Sequence, residues 1–597
     1  MVPFSTGIED INMTSKKTKL KMTKRNNKAG FLFLLPLIVI FIGLLGYSFY
    51  FLISNSFRDV TITFRRSEFV GLANYQTIFK DKSFWKSLLN TFILSTANIF
   101  CGLTFGFIIS IILNFKIKGK RFFHALFFIP SMLPIALMAT VFGSMLEYKN
   151  GIVNQILRGV GLGALAQRWL ADPKLAMGAV CSVSIFMIGI PIMYYTADLT
   201  TISRSILEAA TIDGAGMKDQ LLLIIFPVLK NTHKTIILSM LLGGFREMER
   251  VYLMTDGGPG GSTEIIGTYI YRATRSAGSN IGLVCAAAII VLIVAFIISF
   301  IQLKMTSKNG EVLDMRKKKE KDYELEQDLF AISKANRRVM IIFLIIMLAL
   351  WCVPIYSLLK DSLKVHGIEN YWYVLTNEVN GVPFYQYFVN SIINAVFASA
   401  LLVLICSFSG FAFSKIEFAG RKVIYNLVLM CLAISGPILI IPFFYIYKTA
   451  HLYNTHLAII LSECLITIPF GVLMMKNFFD GLPTELMESA NVDGASIQRC
   501  FFSIYLPLAK PAIINLAVLQ IMWSFQDFLF PLMFLTKDKA YTTTVAVNAF
   551  KGAYGMTPQN LGRYNAALVL ISIPSILIFT FAQKFIVNGI TSGAVKE

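Results

Sequence analysis

The sequence predicts an all-α polytopic membrane protein of about twelve transmembrane helices. They form two parallel six-helix halves with short helices in their cytoplasmic loops. Three observations carry this. Of the 597 residues, 56% are hydrophobic and 15% are charged, where soluble domains carry about a quarter charged; the mean hydropathy is +0.65. Apolar runs of about 20 residues recur along the chain, the length a helix needs to cross a hydrocarbon core about 30 Å thick. Finally, one polar pattern occurs twice with identical internal spacing. Glu208-Ala209-Ala210, Asp213-Gly214-Ala215 and Pro227 return 280 residues later as Glu488-Ser489-Ala490, Asp493-Gly494-Ala495 and Pro507.

Residues 1–30 read as a basic tail, with Lys16, Lys17, Lys19, Lys21, Lys24, Arg25 and Lys28. The positive-inside rule places it in the cytoplasm. The first apolar run follows this long tail and is long enough to stay as an anchor, so no cleavable signal is expected. Spans follow at about 31–53, 87–113, 122–146, 174–198, 232–255 and 281–303, a first domain over 31–303. Lys116, Lys118, Lys120 and Arg121 fall between spans two and three, on the same inner side as the tail. The stretch 304–338 is a charged cytoplasmic linker around Arg316-Lys317-Lys318-Lys319-Glu320-Lys321, with Met315 where a separate polypeptide could once have begun. The second domain, 339–597, holds spans at about 339–359, 387–413, 423–447, 457–476, 512–535 and 563–586, which returns the C-terminus to the cytoplasm.

The repeat extends beyond the opening pattern. Gly71-Leu72-Ala73-Asn74-Tyr75 is echoed by Gly367-Ile368-Glu369-Asn370-Tyr371, and Phe84 with Asn90-Thr91 by Phe384 with Asn390-Ser391. These echoes are offset by 296 and 300 residues, so the first half holds about twenty extra residues, which fit the outer loop from Glu147 to Asp172. Six spans per half is an even number, so the halves share one orientation about an axis along the membrane normal, with a pathway between them.

Composition also excludes. The net charge of +20 sits largely in the tail and beside span ends, where anionic headgroups account for it; no nucleic-acid partner is expected. Eight cysteines without a CxxC pair and five scattered histidines support neither a disulfide framework nor a metal site. There is no Gly-x-x-x-x-Gly-Lys-Ser/Thr loop for ATP phosphates.

Two sets of residues are candidates for function. In the duplicated loop, Glu208-Ala209-Ala210 and Glu488-Ser489-Ala490 favour helix, and their small side chains allow close approach to another surface. Gly214 and Gly494 permit a sharp turn, Asp213 and Asp493 are expected to cap a helix there, and the prolines suit a helix start. The second set is the charged cluster Arg246, Glu247, Glu249 and Arg250 inside the predicted fifth span, where a charge costs about 2.5–3.5 kcal/mol on insertion scales. It either lines a hydrated pathway or pairs with itself, Arg246 with Glu249 and Glu247 with Arg250. Gln526 and Asp527 occupy the corresponding place in the second half.

The duplicated loop resembles the cytoplasmic coupling loop of importer permeases of the ATP-binding-cassette class. The flanking residues point to the carbohydrate-uptake branch, the maltose and glycerol-phosphate type. The first half is similar to the larger permease through Phe69-Val70-Gly71-Leu72-Ala73-Asn74-Tyr75, Asn150-Gly151-Ile152-Val153-Asn154 and Leu253-Met254-Thr255-Asp256-Gly257-Gly258-Pro259. The second is similar to the smaller permease through Gln526-Asp527-Phe528-Leu529-Phe530-Pro531 and Gly589-Ile590-Thr591-Ser592-Gly593-Ala594-Val595-Lys596. Ser489 and Phe226 depart from the usual residues, and fusion of both permeases in one chain is the largest departure.

The resemblance implies a transport subunit of a bacterial plasma membrane, not an enzyme. It implies coupling helices that seat on two separate ATPase subunits, which bind ATP and Mg, and a solute-binding protein outside. The cargo would be a carbohydrate or polyol, and the chain would need no cofactor of its own. A twelve-span, ion-coupled sugar transporter also predicts two parallel halves but leaves the duplicated cytoplasmic loop without a role. A sensor that docks ATPases without moving solute is a third alternative, separated by flux measurements.

Overall fold

The computed structural model describes residues 27–61, 67–115, 117, 119–199, 202–276, 280–313, 334–555, 557 and 560–594. Most of the basic tail, the charged run of the linker with Met315, and Lys116, Lys118, Val595 and Lys596 lie outside these residues.

Each of the twelve predicted spans has a helical counterpart, but only eight are single helices long and apolar enough to cross a membrane. In the first half these are α1 (Asn27–Ser56), α2 (Lys82–Leu113), α5 (Ala176–Leu199) and α11, whose spanning part is Ile281–Ile301. The predicted third span is divided at Pro134 into α3 (Lys120–Met132) and α4 (Ile135–Met145). A short loop helix, α6 (Arg204–Ile212), precedes the predicted fifth span. That span is an elbow of α7 (Met217–Val228) and α8 (Lys230–Arg246), bent by 64°, followed by a short α9 (Glu249–Met254). A further helix, α10 (Ile266–Arg275), leads into α11.

The second half repeats the plan. Its single spans are α12 (Ala335–Ser362), α13 (Phe384–Lys415), α16 (His456–Asp480) and α22, spanning over Leu561–Ile578. Its third span is the bent pair α14 (Arg421–Ala433) and α15 (Gly436–Thr449), at 105°, with Pro437 in the first turn of α15. Then come α17 (Glu485–Val492), the elbow α18 (Ile497–Leu508) and α19 (Lys510–Gln526) bent by 72°, α20 (Leu529–Phe534) and α21 (Thr543–Tyr554). The only strands among the described residues, Arg58–Val60 and Ser67–Phe69, pair antiparallel in the loop after α1.

The repeated asparagines are staples, and they explain the echoes in sequence. Asn74 Nδ2 donates to the carbonyls of Ser56 and Arg58, at 2.9 and 2.8 Å, closing the end of α1. Asn370 Nδ2 does the same to Ser362 and Lys364 at the end of α12, both at 2.9 Å. The following tyrosines, Tyr75 and Tyr371, reach Ser56 Oγ and Ser362 Oγ at 2.8 and 2.5 Å. Farther along, Asn90 Nδ2 donates to the carbonyls of Ser262 and Glu264, and Asn390 Nδ2 to those of Lys539 and Tyr541. Thr91 Oγ1 accepts from the Ile266 backbone N–H and Ser391 Oγ from that of Thr543. Each pair satisfies buried backbone groups that lipid cannot.

The halves are interlocked, a feature hydropathy does not carry. The N-terminal part of α1 leaves its own half and packs on the second: Ala29, Phe33, Leu34 and Leu37 share a core with residues of α13, α16 and α18. Phe33 lies 5.4, 5.3 and 5.2 Å from the rings of Phe408, Phe411 and Phe501. Conversely, α12 packs on the first half, with Trp351 5.4 Å from Phe127 and 4.8 Å from Phe186. Between membrane helices lipid removes most of the hydrophobic drive, so such close ring packing supplies the association.

Candidate functional site

The duplicated loops fold as near twins. α6 and α17 each end in a left-handed glycine, Gly214 at φ 83° and Gly494 at φ 78°. In the first, Ala215 N–H bonds to the Ala210 carbonyl at 2.9 Å and Gly214 N–H to that of Thr211 at 3.1 Å. In the second, Ala495 bonds to Ala490 and Gly494 to Asn491 at the same two distances. This double closure is the Schellman ending, which needs a residue tolerant of positive φ. Asp213 and Asp493 therefore stand at helix C-termini, not as the N-terminal caps expected from their residue type. The caps of the next helices are Gly216 and Ser496, whose Oγ accepts from Arg499 N–H at 3.2 Å. Asp failed as a predictor because the glycine that follows it dictates the helix end. Pro227 and Pro507 lie in the last turn of α7 and α18, just before the elbows, and not at the start of α8 or α19 as the sequence suggested.

Glu208, Ala209, Glu488 and Ser489 are exposed, while Ala210 and Ala490 turn inward. The strongest surface signal lies one residue before each aspartate. Ile212 is 86% exposed and Val492 88%, the two most exposed large apolar side chains among the described residues. They are equivalent positions in the two loops, and neither was a sequence candidate. The signal was available: a β-branched apolar residue immediately before the Asp-Gly of each copy. Gln220 Nε2 braces the first loop through Thr211 Oγ1 and the Ala215 carbonyl, at 2.9 and 3.1 Å.

The second set of candidates surrounds two breaks. α8 stops at Arg246 and α9 starts at Glu249; α19 stops at Gln526 and α20 starts at Leu529. Glu247 and Asp527 take extended backbone angles at the two breaks, ψ 134° and 124°. Asp527 Oδ1 accepts from Phe530 N–H at 3.4 Å, serving the exposed start of α20.

The six polar residues do not share one environment. Glu247 and Arg250 form a buried ion pair, Oε2 to Nη2 3.0 Å, at 9% and 2% exposure. Arg250 Nη1 also donates to Ser184 Oγ at 3.0 Å and Asn98 Oδ1 at 3.4 Å, and Ser184 Oγ to Asn98 Oδ1 at 2.6 Å. That network belongs wholly to the first half and ties α9 to α2 and α5. The other i,i+3 pair the spacing allowed, Arg246 with Glu249, does not form; Glu249 turns instead to the second half. Arg246 lies deep in the protein yet keeps solvent-accessible surface, on one stripe of α8 with Gly243, and makes no ion pair among the described residues. Glu249 approaches the second half, beside Asp527 and the backbone N–H groups of Phe528 and Leu529.

Across this zone the halves meet directly. Ser435 Oγ donates to the Phe245 carbonyl at 2.9 Å, and the rings of Tyr252 and Phe528 are 6.0 Å apart. Behind Asp527, the Glu463 carboxyl lies against Ser524 and Asp527, and Gln520 carries buried polar atoms without a hydrogen-bond partner. Ser524 and Glu463 are sequence-silent members of this polar zone, masked by the apolar residues around them. Among the described residues no group of three His, Cys, Asp or Glu side chains is placed to hold a metal.

Known proteins bear on this arrangement. A probable ABC transporter permease protein of Bacillus subtilis, YurN, is 29% identical over 293 residues, covering 49% of this chain and all of the relative. The arabinooligosaccharides transport system permease protein AraQ of the same organism is 28% identical, covering 44% of this chain and 96% of its own length. The trehalose/maltose transport system permease protein MalG of Thermococcus litoralis is 34% identical, covering 38% and 81%. Each such relative uses less than half of this chain. A chain from a bacterial ABC transporter involved in import of the acidic polysaccharide alginate aligns at 19% identity, with TM-score 0.37, over 43% of this chain and 99% of its own. The family described as binding-protein-dependent transport system inner membrane component matches twice, over residues 102–307 and 403–592. The chain belongs to that family and carries two copies of the component in one polypeptide.

Proposed function

We propose that this chain alone forms the transmembrane pathway of a bacterial ATP-binding-cassette carbohydrate importer, with one half over 31–303, the other over 339–597 and 304–338 as the linker between them. It is a transport permease, not an enzyme, and works in the inner membrane. Its relatives named for arabinooligosaccharides and for trehalose and maltose support an oligosaccharide or related polyol as cargo.

The observation that carries the finer reading is the pair of matching loops. Each presents an exposed acidic, small-residue helix, a left-handed glycine and an unburied branched apolar side chain, Ile212 or Val492. An apolar side chain left in water at equivalent places favours burial in a partner's cleft. Two equivalent clefts come from two ATPase subunits. These supply the site for ATP and Mg, and their closure draws both loops together. Glu208, Ala209, Ala210, Asp213 and Gly214 contact one ATPase, and Glu488, Ser489, Ala490, Asp493 and Gly494 the other. This places both termini in the cytoplasm, and a solute-binding protein delivers cargo on the opposite face.

Cargo passes between the broken fifth spans. Arg246, Glu249, Gln526 and Asp527 offer polar groups there, while Glu247 and Arg250 hold the first break in shape. The test is reconstitution of the full chain with its ATPase and binding protein in proteoliposomes, using radiolabelled maltose, trehalose and arabino-oligosaccharides. Uptake should require ATP. Substituting Glu208 and Glu488, or Gly214 and Gly494, should abolish uptake while the chain still folds and inserts. Normal ATPase docking and uptake in those variants would overturn the assignment.

A further inference from the structure

The two coupling loops are near twins, but they are fastened to the membrane helices by different chemistry. In the first half the elbow is polar. Tyr195 Oη of α5 lies 2.7 Å from His233 Nδ1, and His233 Nε2 lies 3.0 Å from the Phe226 carbonyl oxygen. A carbonyl can only accept, so Nε2 carries the hydrogen, and Nδ1 accepts from the Tyr195 hydroxyl. One imidazole thus joins α5 to the elbow from within α8. Beside it the Thr232 hydroxyl donates to the Asp198 carboxylate, one turn along α5 from Tyr195. Phe107 of α2 closes the cluster, with ring centres 5.3, 5.7 and 6.0 Å from those of Tyr195, Phe226 and His233. Phe226 itself packs on His233 at 4.3 Å.

The second half has none of these groups. At the spacing that aligns the loops, Tyr195, Asp198, Thr232 and His233 correspond to Met475, Phe478, Ala512 and Ile513. There Tyr505 of the elbow donates from Oη to the Pro483 carbonyl in the loop after α16 at 3.2 Å, and Lys415 at the end of α13 donates from Nζ to the Leu482 carbonyl in the same loop at 2.7 Å.

We propose that Tyr195, His233 and the Phe226 carbonyl, with Thr232 and Asp198, form a one-sided transmission latch. It rests on the coupling reading of the loops. Hydrogen bonds are directional and lose their strength within a few tenths of an ångström or tens of degrees. Apolar side chains slide past one another at little cost. The latch therefore carries displacement of the first loop to α5, the fourth span, as a rigid unit. The second loop is tied to the end of its fourth span through Tyr505 and Pro483, and meets the body of that span through apolar packing where the first half has Tyr195 and His233. His233 is a positioning residue: it touches neither cargo nor nucleotide.

The test uses the full transporter with its ATPase, in a cysteine-free background carrying spin-label pairs. One pair, Lys218→Cys with Gln498→Cys at the starts of α7 and α18, reads closure of the loops without touching the docking residues. The other, Ile190→Cys on α5 with Val396→Cys on α13, reads movement of the fourth span; all four side chains are exposed. MgATP with vanadate should shift both distances in the parent. With His233→Ile, which copies the second half, the loop pair should still shift and the span pair should lose at least half of its shift. His233→Gln keeps a donor and an acceptor on one side chain and should restore the span pair, a recovery that gross misfolding would not allow.

An unchanged span-pair shift in His233→Ile overturns the latch. So does loss of the loop-pair shift in that variant alone, because His233 would then be shaping the docking site. If the loops fail to close in the parent, the coupling reading falls and the latch with it.

Discussion

Gly214 and Gly494 show how one backbone angle fixes a surface. At φ 83° and 78°, a residue with a Cβ costs about 1–2 kcal/mol more than glycine. Both positions are exposed, with nothing within 4 Å of an added Cβ, so the penalty is conformational and local. Gly214→Ala is expected to leave the thermal midpoint of the chain in place. It should weaken ATPase binding in nanodiscs by roughly 5–30-fold, the ratio that 1–2 kcal/mol sets, as measured by binding titration. The ion pair at the first break behaves oppositely, because it is buried. Arg250→Ala strands Glu247 without a partner, at a cost of about 3–5 kcal/mol, and should lower the thermal midpoint in detergent sharply. Glu247→Leu with Arg250→Met removes both charges and should recover much of that loss. These residues were legible in the sequence as a rare charged cluster in an apolar run. Of the two i,i+3 pairs legible there, Glu247 with Arg250 forms and Arg246 with Glu249 does not; the break between α8 and α9, which spacing alone does not reveal, leaves the two pairs in different surroundings.

At the scale of elements, hydropathy found every span but drew each as a rod. An average over about twenty residues does not register a two-residue break, so Glu247-Met248 and Asp527-Phe528 passed as interior. It is also blind to partners. α1 reads as the first helix of its own half, and its N-terminal third instead packs on the second. The reason is steric and distant in sequence: Gly30 meets Phe418, and a Cβ at Gly30 would come within 2.6 Å of that ring. Asn27 Oδ1 also accepts from Ala419 N–H at 3.0 Å. Gly30→Leu should therefore detach the N-terminal end of α1. The expected readout is faster proteolysis at the loop around Ala419 in inside-out vesicles, with the outer staple at Asn74 unaffected. Equal cleavage in parent and variant would show that α1 is held by its other contacts.

At the scale of the whole molecule, two copies of one component are joined, exchanged at their first spans, and matched at their loops. Interlocking of this kind means that the linker is not what keeps the halves together. The function proposed for the loops then makes a stoichiometric prediction. Ile212 and Val492 each place a branched apolar side chain in water, and a buried carboxylate is far more costly to seat than a buried methyl group. Ile212→Glu should lose one of two bound ATPases, and Val492→Glu the other, while the double variant binds none; native mass spectrometry of the purified complex counts them. ATP-driven uptake should fall to background in either single variant. Closure needs both ATPases against each other, so half of the assembly is not half of the activity. A single variant that keeps about half of the uptake would mean that each loop works alone. The twin loops would then be two independent devices, and the symmetry between the halves would have no mechanical role.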